Sequence, residues 1–146
     1  MEVAANYQWD QWAFQASLTQ ARYQFNQEND EGDLDGKSLP GIPNSQLFFQ
    51  LDYTTSNNWK WVLSGEHIGR FYANNSNSVE INSIQKVLFQ AQKTVVFSGG
   101  EFDFFGGINN LLNTTYYDNI RLNAFGGRFY EPAPGRNFYL GTRLNF

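Results

Sequence analysis

The sequence contains no cysteine and only one histidine, His67. The first absence excludes disulfides and thiolate chemistry, and the second argues against a His-rich metal site or a Ser-His-Asp triad. The net charge is −4, which disfavours a nucleic-acid partner. No run approaches the roughly 18 apolar residues of a membrane-spanning helix. Since no acid/base pair or nucleophile arrangement is recognisable either, we predict no enzymatic activity, catalytic residue, cofactor or metal site.

Aromatic residues make up 18% of the chain and hydrophobic residues 41%, yet the mean hydropathy is −0.52. Amphipathic strands, each with one apolar and one wetted face, produce this balance. Alternation of apolar and polar residues indicates about seven strands, at 3–9, 12–25, 47–53, 59–72, 87–97, 102–108 and 138–146. The predicted fold class is all-β, an antiparallel up-and-down meander.

The predicted connections alternate in length. Short turns fall near residues 10, 57 and 99, and long segments at roughly 26–44, 73–83 and 110–136. Aromatic residues flank the short turns, as in an interfacial girdle: Trp9, Trp12, Trp59, Trp61, Phe97 and Phe102. A second girdle is expected at the other end of the strands, from Tyr23, Phe25, Phe71 and Tyr72. This arrangement is typical of a transmembrane β-barrel with short periplasmic turns and long extracellular loops.

The alternation also predicts which side chains share a face of the sheet. The outward, apolar face is expected to carry Trp12, Phe14, Leu18, Phe49, Leu51, Leu63, Phe89, Phe104, Leu140 and Leu144. The inward, polar face is expected to carry Gln15, Gln50, Glu66, Gln92, Asp103 and Arg143. His67 and Lys93 do not fit, since both share parity with apolar neighbours. Either they lie near a membrane interface or a β-bulge shifts the register.

Five acidic residues are concentrated in the first long connection, at Glu28, Asp30, Glu31, Asp33 and Asp35. Clustered carboxylates can bind calcium, but the ligand spacing of an EF-hand loop is absent. A solvated acidic loop is the favoured interpretation.

The chain ends on an amphipathic strand with a terminal aromatic residue. The pattern Tyr139-x-Gly141-x-x-Leu144-x-Phe146 resembles the C-terminal membrane-insertion signal of bacterial outer-membrane β-barrels. The segment GINNLLNTTYY at 107–117 resembles the penultimate-strand signature of TonB-dependent outer-membrane receptors. The segments DNIRLNAFGGRFYEPAPGRNFY at 118–139 and GKSLPGIP at 36–43 resemble a loop and a loop-to-strand junction of siderophore-receptor members.

This resemblance implies a multi-pass barrel in the bacterial outer membrane that takes up a ferric siderophore. It implies outer-membrane lipid, the barrel-assembly machinery and the TonB energy-transducing complex as partners. The family's plug domain and TonB-binding motif have no counterpart here, and its barrels have about 22 strands. We therefore expect residues 1–146 to be the C-terminal portion of such a barrel domain, a fragment or truncated reading frame, with the plug and earlier strands missing.

In this family the substrate is held partly by extracellular loops, and the candidate loop here is 110–136. Its arginines can pair with carboxylates, and its aromatic residues can stack on planar groups. The candidate ligand-binding residues are therefore Arg121, Arg128, Tyr130 and Arg136. The competing interpretation is that these arginines pair with Asp118 and Glu131 and only shape the loop.

Two other classes of protein stay open. A small non-transporting barrel or pore would have an even number of strands and both termini on the periplasmic side. A soluble β-sandwich binding module would bury its large aromatic residues between two packed sheets.

Overall fold

The computed structural model describes residues 1–26 and 34–146. In these two ranges the chain forms eleven strands and one short 3-10 helix, Phe125–Gly127. The strands are β1 (Glu2–Trp9), β2 (Trp12–Gln20), β3 (Ser45–Thr54), β4 (Trp59–Ile68), β5 (Phe71–Tyr72), β6 (Glu80–Ile81), β7 (Ile84–Phe97), β8 (Gly100–Asn109), β9 (Tyr117–Ile120), β10 (Tyr130–Pro132) and β11 (Asn137–Asn145). Over the same described residues, no helix is long and apolar enough to cross a membrane.

Seven strands form one antiparallel sheet in the order β1-β2-β3-β4-β7-β8-β11. Each strand pairs with the next one in the main sheet, so the predicted meander of about seven strands is confirmed. Neighbours alternate in direction, and with seven strands the two edge strands, β1 and β11, therefore run the same way. The sheet is open, with β1 and β11 at its two edges.

The pairing register confirms the predicted faces, because residues directly opposite each other in a sheet point to the same side. A continuous row across three strands joins Phe14 to Leu51 and then to Leu63. The remaining members of the predicted apolar set fall on the same face, and the six predicted polar residues fall on the other. Leu140 is 87% exposed. A sandwich with this face buried between two sheets is thereby excluded.

The register runs without a shift through the two positions that did not fit the pattern. His67 lies opposite Leu47 and Gln85, one residue before the end of β4. Lys93 lies opposite Trp59, the first residue of β4. A bulge is thus the wrong explanation, and both side chains lie on the apolar face at the level of a strand end.

Two strands end earlier than predicted. β2 was expected to reach residue 25, but it ends at Gln20, where its partner β1 begins with Glu2 opposite Thr19. Beyond that point the backbone pairs with residues 37–39 instead: Phe25 N donates to the Lys37 carbonyl, and Leu39 N donates to the Tyr23 carbonyl, at 2.9 and 3.0 Å. The change of ladder partner, which depends on a distant segment, ends the strand.

The second early end is that of β4, which was expected to continue to residue 72 but ends at Ile68. Phe71 and Tyr72 form β5, which pairs with β6 in a small separate hairpin. Phe71 packs against a cluster of buried side chains made by Ala73, Ile81 and Phe129. The prediction that Phe71 and Tyr72 belong to an outer girdle is therefore wrong, because the chain has already left the main sheet.

The short turns follow the predicted chemistry. Asp10 and Asn58 have positive φ, at 50° and 64°, as tight connections require. Thr55 closes the β3–β4 turn, since its hydroxyl accepts a hydrogen bond from Trp59 N at 3.0 Å. A Cβ on Gly100 would collide with the Asn145 carbonyl oxygen, so glycine permits the close approach of the last strand there.

Candidate ligand-binding surface

The long segment between β8 and β11 contains its own hairpin. β9 pairs with β10, and Ile120 lies opposite Tyr130. The Tyr130 ring stacks on that of Tyr117, with centroids 4.4 Å apart and planes inclined by 28°. The 3-10 helix at the tip contains Gly126 and Gly127 at φ 71° and 73°, a conformation that a side chain would strain. The candidate loop thus contains regular structure, with Tyr130 on the second strand of its hairpin.

Arg121 is held inside this hairpin. Its Nε and Nη2 atoms donate to Glu131 Oε1 at 2.9 and 2.5 Å, and Asn119 Nδ2 donates to Oε2 of the same carboxylate at 3.1 Å. The hydrogen bond from Asn119, followed by the hydrogen bond and charge of Arg121, lowers the pKa of Glu131 below its ordinary value of 4.5. For Arg121, the structure favours the loop-shaping interpretation.

Arg128 and Arg136 are placed differently. Both are exposed, and neither side chain forms an ion pair with any carboxylate of the described residues. Arg128 directly follows the 3-10 helix, and Arg136 directly precedes β11. The backbone N–H of Arg136 donates to Asn113 Oδ1 at 3.0 Å, which fixes the backbone there while the guanidinium is exposed. The expected pairing of these two arginines with Asp118 or Glu131 does not occur in the structure.

Asparagine side chains join the three long segments through reciprocal hydrogen bonds, which we call the asparagine interlock. Ser38 N donates to Asn77 Oδ1 at 2.7 Å, and Asn77 Nδ2 donates back to the Ser38 carbonyl at 2.8 Å. A second reciprocal pair joins the Asn75 backbone N–H to Asn123 Oδ1 at 2.9 Å, and Asn123 Nδ2 to Asn75 Oδ1 at 3.0 Å. Asn77 and Asn123 both have positive φ, which asparagine tolerates better than most residues. No local pattern in the sequence predicts this network.

A small apolar core supports the same locked region. Ala73, Ile81 and Phe129 are buried, with Phe71, Val79, Ile120 and Ala124 packed around them. These residues come from both sides of the interlock, the β5–β6 hairpin and the β9–β10 hairpin. Of the five acidic residues of the first long connection, Glu28, Asp30, Glu31 and Asp33 lie outside the described residues.

The polar face of the main sheet meets the candidate loop at a cleft of about 600 Å³. Glu66 and Lys86 lie opposite each other on β4 and β7, and their charged atoms are 2.6 Å apart. The Lys86 ammonium also lies 5.6 Å from the ring centroid of Tyr116, just before β9. Asp118 and Asn109 line the same cleft. Lys86 is not among the candidate residues predicted from the sequence, although its parity with Leu88 and Gln90 places it on this face.

Further polar contacts continue along this face towards the short turns. Gln50 donates to Asp52, which is also 3.4 Å from Lys60 Nζ. Asp103 is buried and accepts a hydrogen bond of 2.5 Å from the Thr94 hydroxyl. Hydrogen-bonded and ion-paired side chains therefore recur along this face.

Tyr139, Gly141 and Leu144 of the predicted insertion signal lie on the edge strand β11, and Phe146 follows that strand directly. Leu144 and the terminal Phe146 are exposed, whereas Tyr139 and Gly141 belong to the polar face. Tyr139 covers the glycine opposite it: a Cβ on Gly107 would lie 2.5 Å from the Tyr139 hydroxyl oxygen. Gly141 is covered in turn by Phe105.

Aromatic side chains form the predicted row at the short-turn end of the apolar face. Trp9 lies opposite Trp12, which lies opposite Tyr53, and the Trp12 and Tyr53 ring centroids are 4.4 Å apart. Trp59 and Trp61 stack at 5.2 Å. Phe102 and Phe104 form a third contacting pair, with centroids 4.5 Å apart, and Lys93 lies between Trp59 and Phe104. The aromatic residues thus gather at the predicted end of this face.

No protein-family model matches the sequence. Among solved structures, the chain is similar to the siderophore receptor PiuA from Acinetobacter baumannii, with 18% identity, a TM-score of 0.76, and coverage of 97% of this chain and 20% of that one. For the ferric yersiniabactin uptake receptor FyuA from Yersinia pestis the identity is 15%, the TM-score 0.79, and the coverage 99% and 23%. For the copper transporter OprC these values are 22%, 0.68, 97% and 22%.

The chain thus spans about a fifth of the length of the solved structures it matches. At these identities the similarity establishes the fold, and it confirms at that level the resemblance to TonB-dependent receptors predicted from the sequence motifs. The matched proteins are receptors and transporters rather than enzymes.

Proposed function

We propose that residues 1–146 are the C-terminal portion of the β-barrel domain of a TonB-dependent outer-membrane receptor, and that the full-length protein takes up a ferric siderophore. The observation that carries this proposal is the extent of the structural match. Nearly all of this chain, 97%, superimposes on a siderophore receptor while spanning 20% of it. A match of that form is expected when a segment of a large barrel is compared with the whole.

The dimensions and surfaces of the sheet support a location in the outer membrane. The strands of the main sheet contain 8 to 14 residues, and a tilted transmembrane β-strand needs about 9–11. One face of the sheet is apolar and exposed, with a band of aromatic rings at its short-turn end. Lipid is the partner that such a face requires.

Several partners follow from this assignment. The strand that ends in Tyr139, Gly141, Leu144 and Phe146 is the part that the barrel-assembly machinery recognises. The TonB complex acts through an N-terminal part of the full-length protein. Earlier strands of the full-length barrel pair with the open edges β1 and β11, and the plug domain fills the lumen.

Within the candidate loop, we propose different roles for the predicted ligand residues, from the contacts that each side chain makes. Arg121 is engaged by Glu131 and shapes the hairpin. Arg128 and Arg136 present guanidinium groups without a carboxylate partner in the described part of the chain, and Tyr130 offers an exposed ring. We assign siderophore contacts to Arg128, Arg136 and Tyr130, and a supporting role to Arg121.

A small self-contained pore has less support. A single-chain bacterial barrel has an even number of antiparallel strands, whereas the main sheet has seven and its edge strands run the same way. Copper is a second candidate cargo because of the similarity to OprC. The chain has only one methionine and one histidine, however, and soft transition metals favour such side chains.

Transport is tested by expressing the full-length protein in a host that lacks its own ferric-siderophore receptors. We expect iron-starved cells to gain uptake of at least one radiolabelled complex from a panel of ferric catecholates, hydroxamates and citrate. A protonophore or deletion of the TonB gene should abolish that gain. Surface expression without uptake of any ferric complex would contradict the proposal. Uptake of copper alone would show that the cargo is copper and not a ferric siderophore.

The ligand contact is tested in the same cells with Arg128→Ala and Arg128→Lys. Loss of a hydrogen bond to a charged group costs about 1.5–3 kcal/mol, so Arg128→Ala should weaken siderophore binding by roughly 10- to 150-fold. Arg128→Lys keeps the charge and loses the bidentate geometry, so its siderophore affinity should lie between those of wild type and Arg128→Ala. An antibody against a surface epitope controls for expression. Full binding by Arg128→Ala at normal expression would return Arg128 to a structural role.

A further inference from the structure

One cation lies on the apolar face beside a groove between β4, β7, β8 and β11. We propose that this place is a binding site for an anionic glycerophospholipid, with the phosphate at Lys93 and an acyl chain in the groove. The inference rests on the proposed function, because it requires this face to meet the membrane.

Small side chains create the groove. Ala91 lies opposite Gly106, which lies opposite Leu140 on the edge strand. Trp59, Phe89 and Phe104 rise around these small residues and wall a depression of about 330 Å³. The lining side chains are apolar, and they run along the strands from the level of Trp59 towards Phe89. Such a depression fits a flexible hydrocarbon chain and offers no polar group to orient any other ligand.

Charge identifies the head group. Of the lysines and arginines in the chain, Lys93 is the one that the register of the fully described main sheet places on its apolar face, and no aspartate or glutamate shares that face. Its ammonium contacts the Asn57 carbonyl oxygen and lies 5.8 Å from the Trp59 ring centroid. An ammonium has three donors, so two remain for another acceptor. A phosphate supplies the missing negative charge.

The depth of Lys93 is that of a lipid head group. Its neighbour Thr94 donates from the backbone N–H to the Asn58 carbonyl at 3.1 Å, which fixes this part of β7 beside the β3–β4 turn. The stacked pair Trp59 and Trp61 lies at the same end of β4. Indole rings and lysines collect where the hydrocarbon region gives way to phosphates. The lipid is therefore one of the leaflet that borders the short turns, with its chain directed towards Phe89.

The test is native mass spectrometry of the full-length protein, released from outer membranes in non-ionic detergent and mixed with equimolar phosphatidylglycerol and phosphatidylethanolamine. We expect about a fivefold preference for phosphatidylglycerol at one site, the usual effect of one basic residue near an anionic lipid surface. Lys93→Gln should remove the preference. Ala91→Phe, which fills the groove and keeps the charge, should reduce retention of both lipids.

Lys60→Gln is the matched control. Lys60 adjoins Trp59 at the same level but points to the polar face, where it pairs with Asp52. It should leave the lipid preference unchanged. Equal phosphatidylglycerol retention by wild type and Lys93→Gln would overturn the proposed site. Loss of the phosphatidylglycerol preference in Lys60→Gln would overturn it as well. So would preferential retention of lipopolysaccharide when that lipid is added to the mixture.

A second measurement separates this site from the proposed location. In reconstituted bilayers, phosphatidylcholine with brominated acyl chains should quench wild-type tryptophan fluorescence more than that of Trp59→Phe. If Trp59 contributes nothing to the quenching, this face does not meet lipid and both proposals fail. If Trp59 is quenched and phosphatidylglycerol is not preferred, only the phospholipid site fails.

Discussion

The ring of Phe105 lies over Gly141 on the neighbouring strand, and a Cβ built on Gly141 would come within 2.5 Å of that ring. Gly141→Ala should therefore displace the ring and weaken the β8–β11 pairing by about 1–3 kcal/mol, the usual cost of overpacking. Because Gly141 belongs to the predicted insertion signal, the full-length protein should assemble poorly. The measurement is the fraction of barrel that keeps its folded mobility in unheated gel electrophoresis.

Two further variants separate sterics from signalling in that experiment. Phe105→Ala combined with Gly141→Ala removes the clash and should recover much of the assembly. Gly135→Ala is a control, since its Cβ would meet only Asn113 Oδ1 at an ordinary 3.4 Å. If the double variant assembles as poorly as Gly141→Ala, the glycine is read by the assembly machinery and not required by the ring.

The pairing between Asn75 and Asn123 predicts that the surface formed by the long connections resists proteases. Asn123→Ala removes two hydrogen bonds and places alanine at φ 51°. We expect faster cleavage by externally added protease within 73–83 and 110–136. Asn123→Gly removes the same hydrogen bonds without the backbone strain, so the difference between the variants measures the strain. Wild-type cleavage rates in both would mean that the interlock contributes nothing to the order of the loops.

Glu131 should make the β9–β10 hairpin sensitive to acid. Its pKa is lower in the folded protein than in the unfolded chain, where it is near 4.5, so its stabilising effect is complete above that value. The effect is lost as the pH falls through the lowered folded pKa. Pepsin cleavage of the hairpin between pH 5 and 2 should rise more steeply in wild type than in Glu131→Gln, which lacks the titration. Parallel curves for the two proteins would show that the ion pair does not hold the hairpin.

The open edges and the exposed apolar face predict that residues 1–146 expressed alone are insoluble without detergent. Both β1 and β11 present unpaired backbone groups, and Leu140 is 87% exposed. We expect sedimentation to show aggregates in buffer and smaller assemblies in a zwitterionic detergent. A monodisperse soluble monomer without detergent would contradict the membrane assignment of the apolar face.

Much of the main sheet could be predicted because its determinants are local. Parity along a strand is fixed by the backbone, and a short turn such as Asp10-Gln11 leaves no freedom in how Trp9 and Trp12 are paired. The predicted strand count, the two faces and the placement of aromatic residues at the short-turn end therefore agree with the structure. The ends of β2 and β4 could not be predicted in this way, since each depends on a partner segment remote in sequence.

The candidate surface was predictable only in part. A cluster of arginine and aromatic residues in 110–136 was visible in the sequence, but the pairing of Arg121 with Glu131 depends on the β9–β10 hairpin, whose strands contain only four and three residues. The asparagine interlock left no local signal either. Asn77 is 39 residues from its partner Ser38, and Asn123 is 48 residues from its partner Asn75. Abundant asparagine elsewhere in the chain gives no reason to single them out.

Because β1 and β11 run in the same direction, the two open edges of the sheet cannot pair with each other in an antiparallel way. If copies were inserted with the same orientation in a membrane, β11 of one copy would meet β1 of the next as a parallel pair, which breaks the antiparallel ladder that runs through all the neighbours of the main sheet. Only an odd number of additional strands restores alternation around a closed ring. Pairing of the sheet with its own other edge, or with a like-oriented copy, is thereby disfavoured until those additional strands have paired with it.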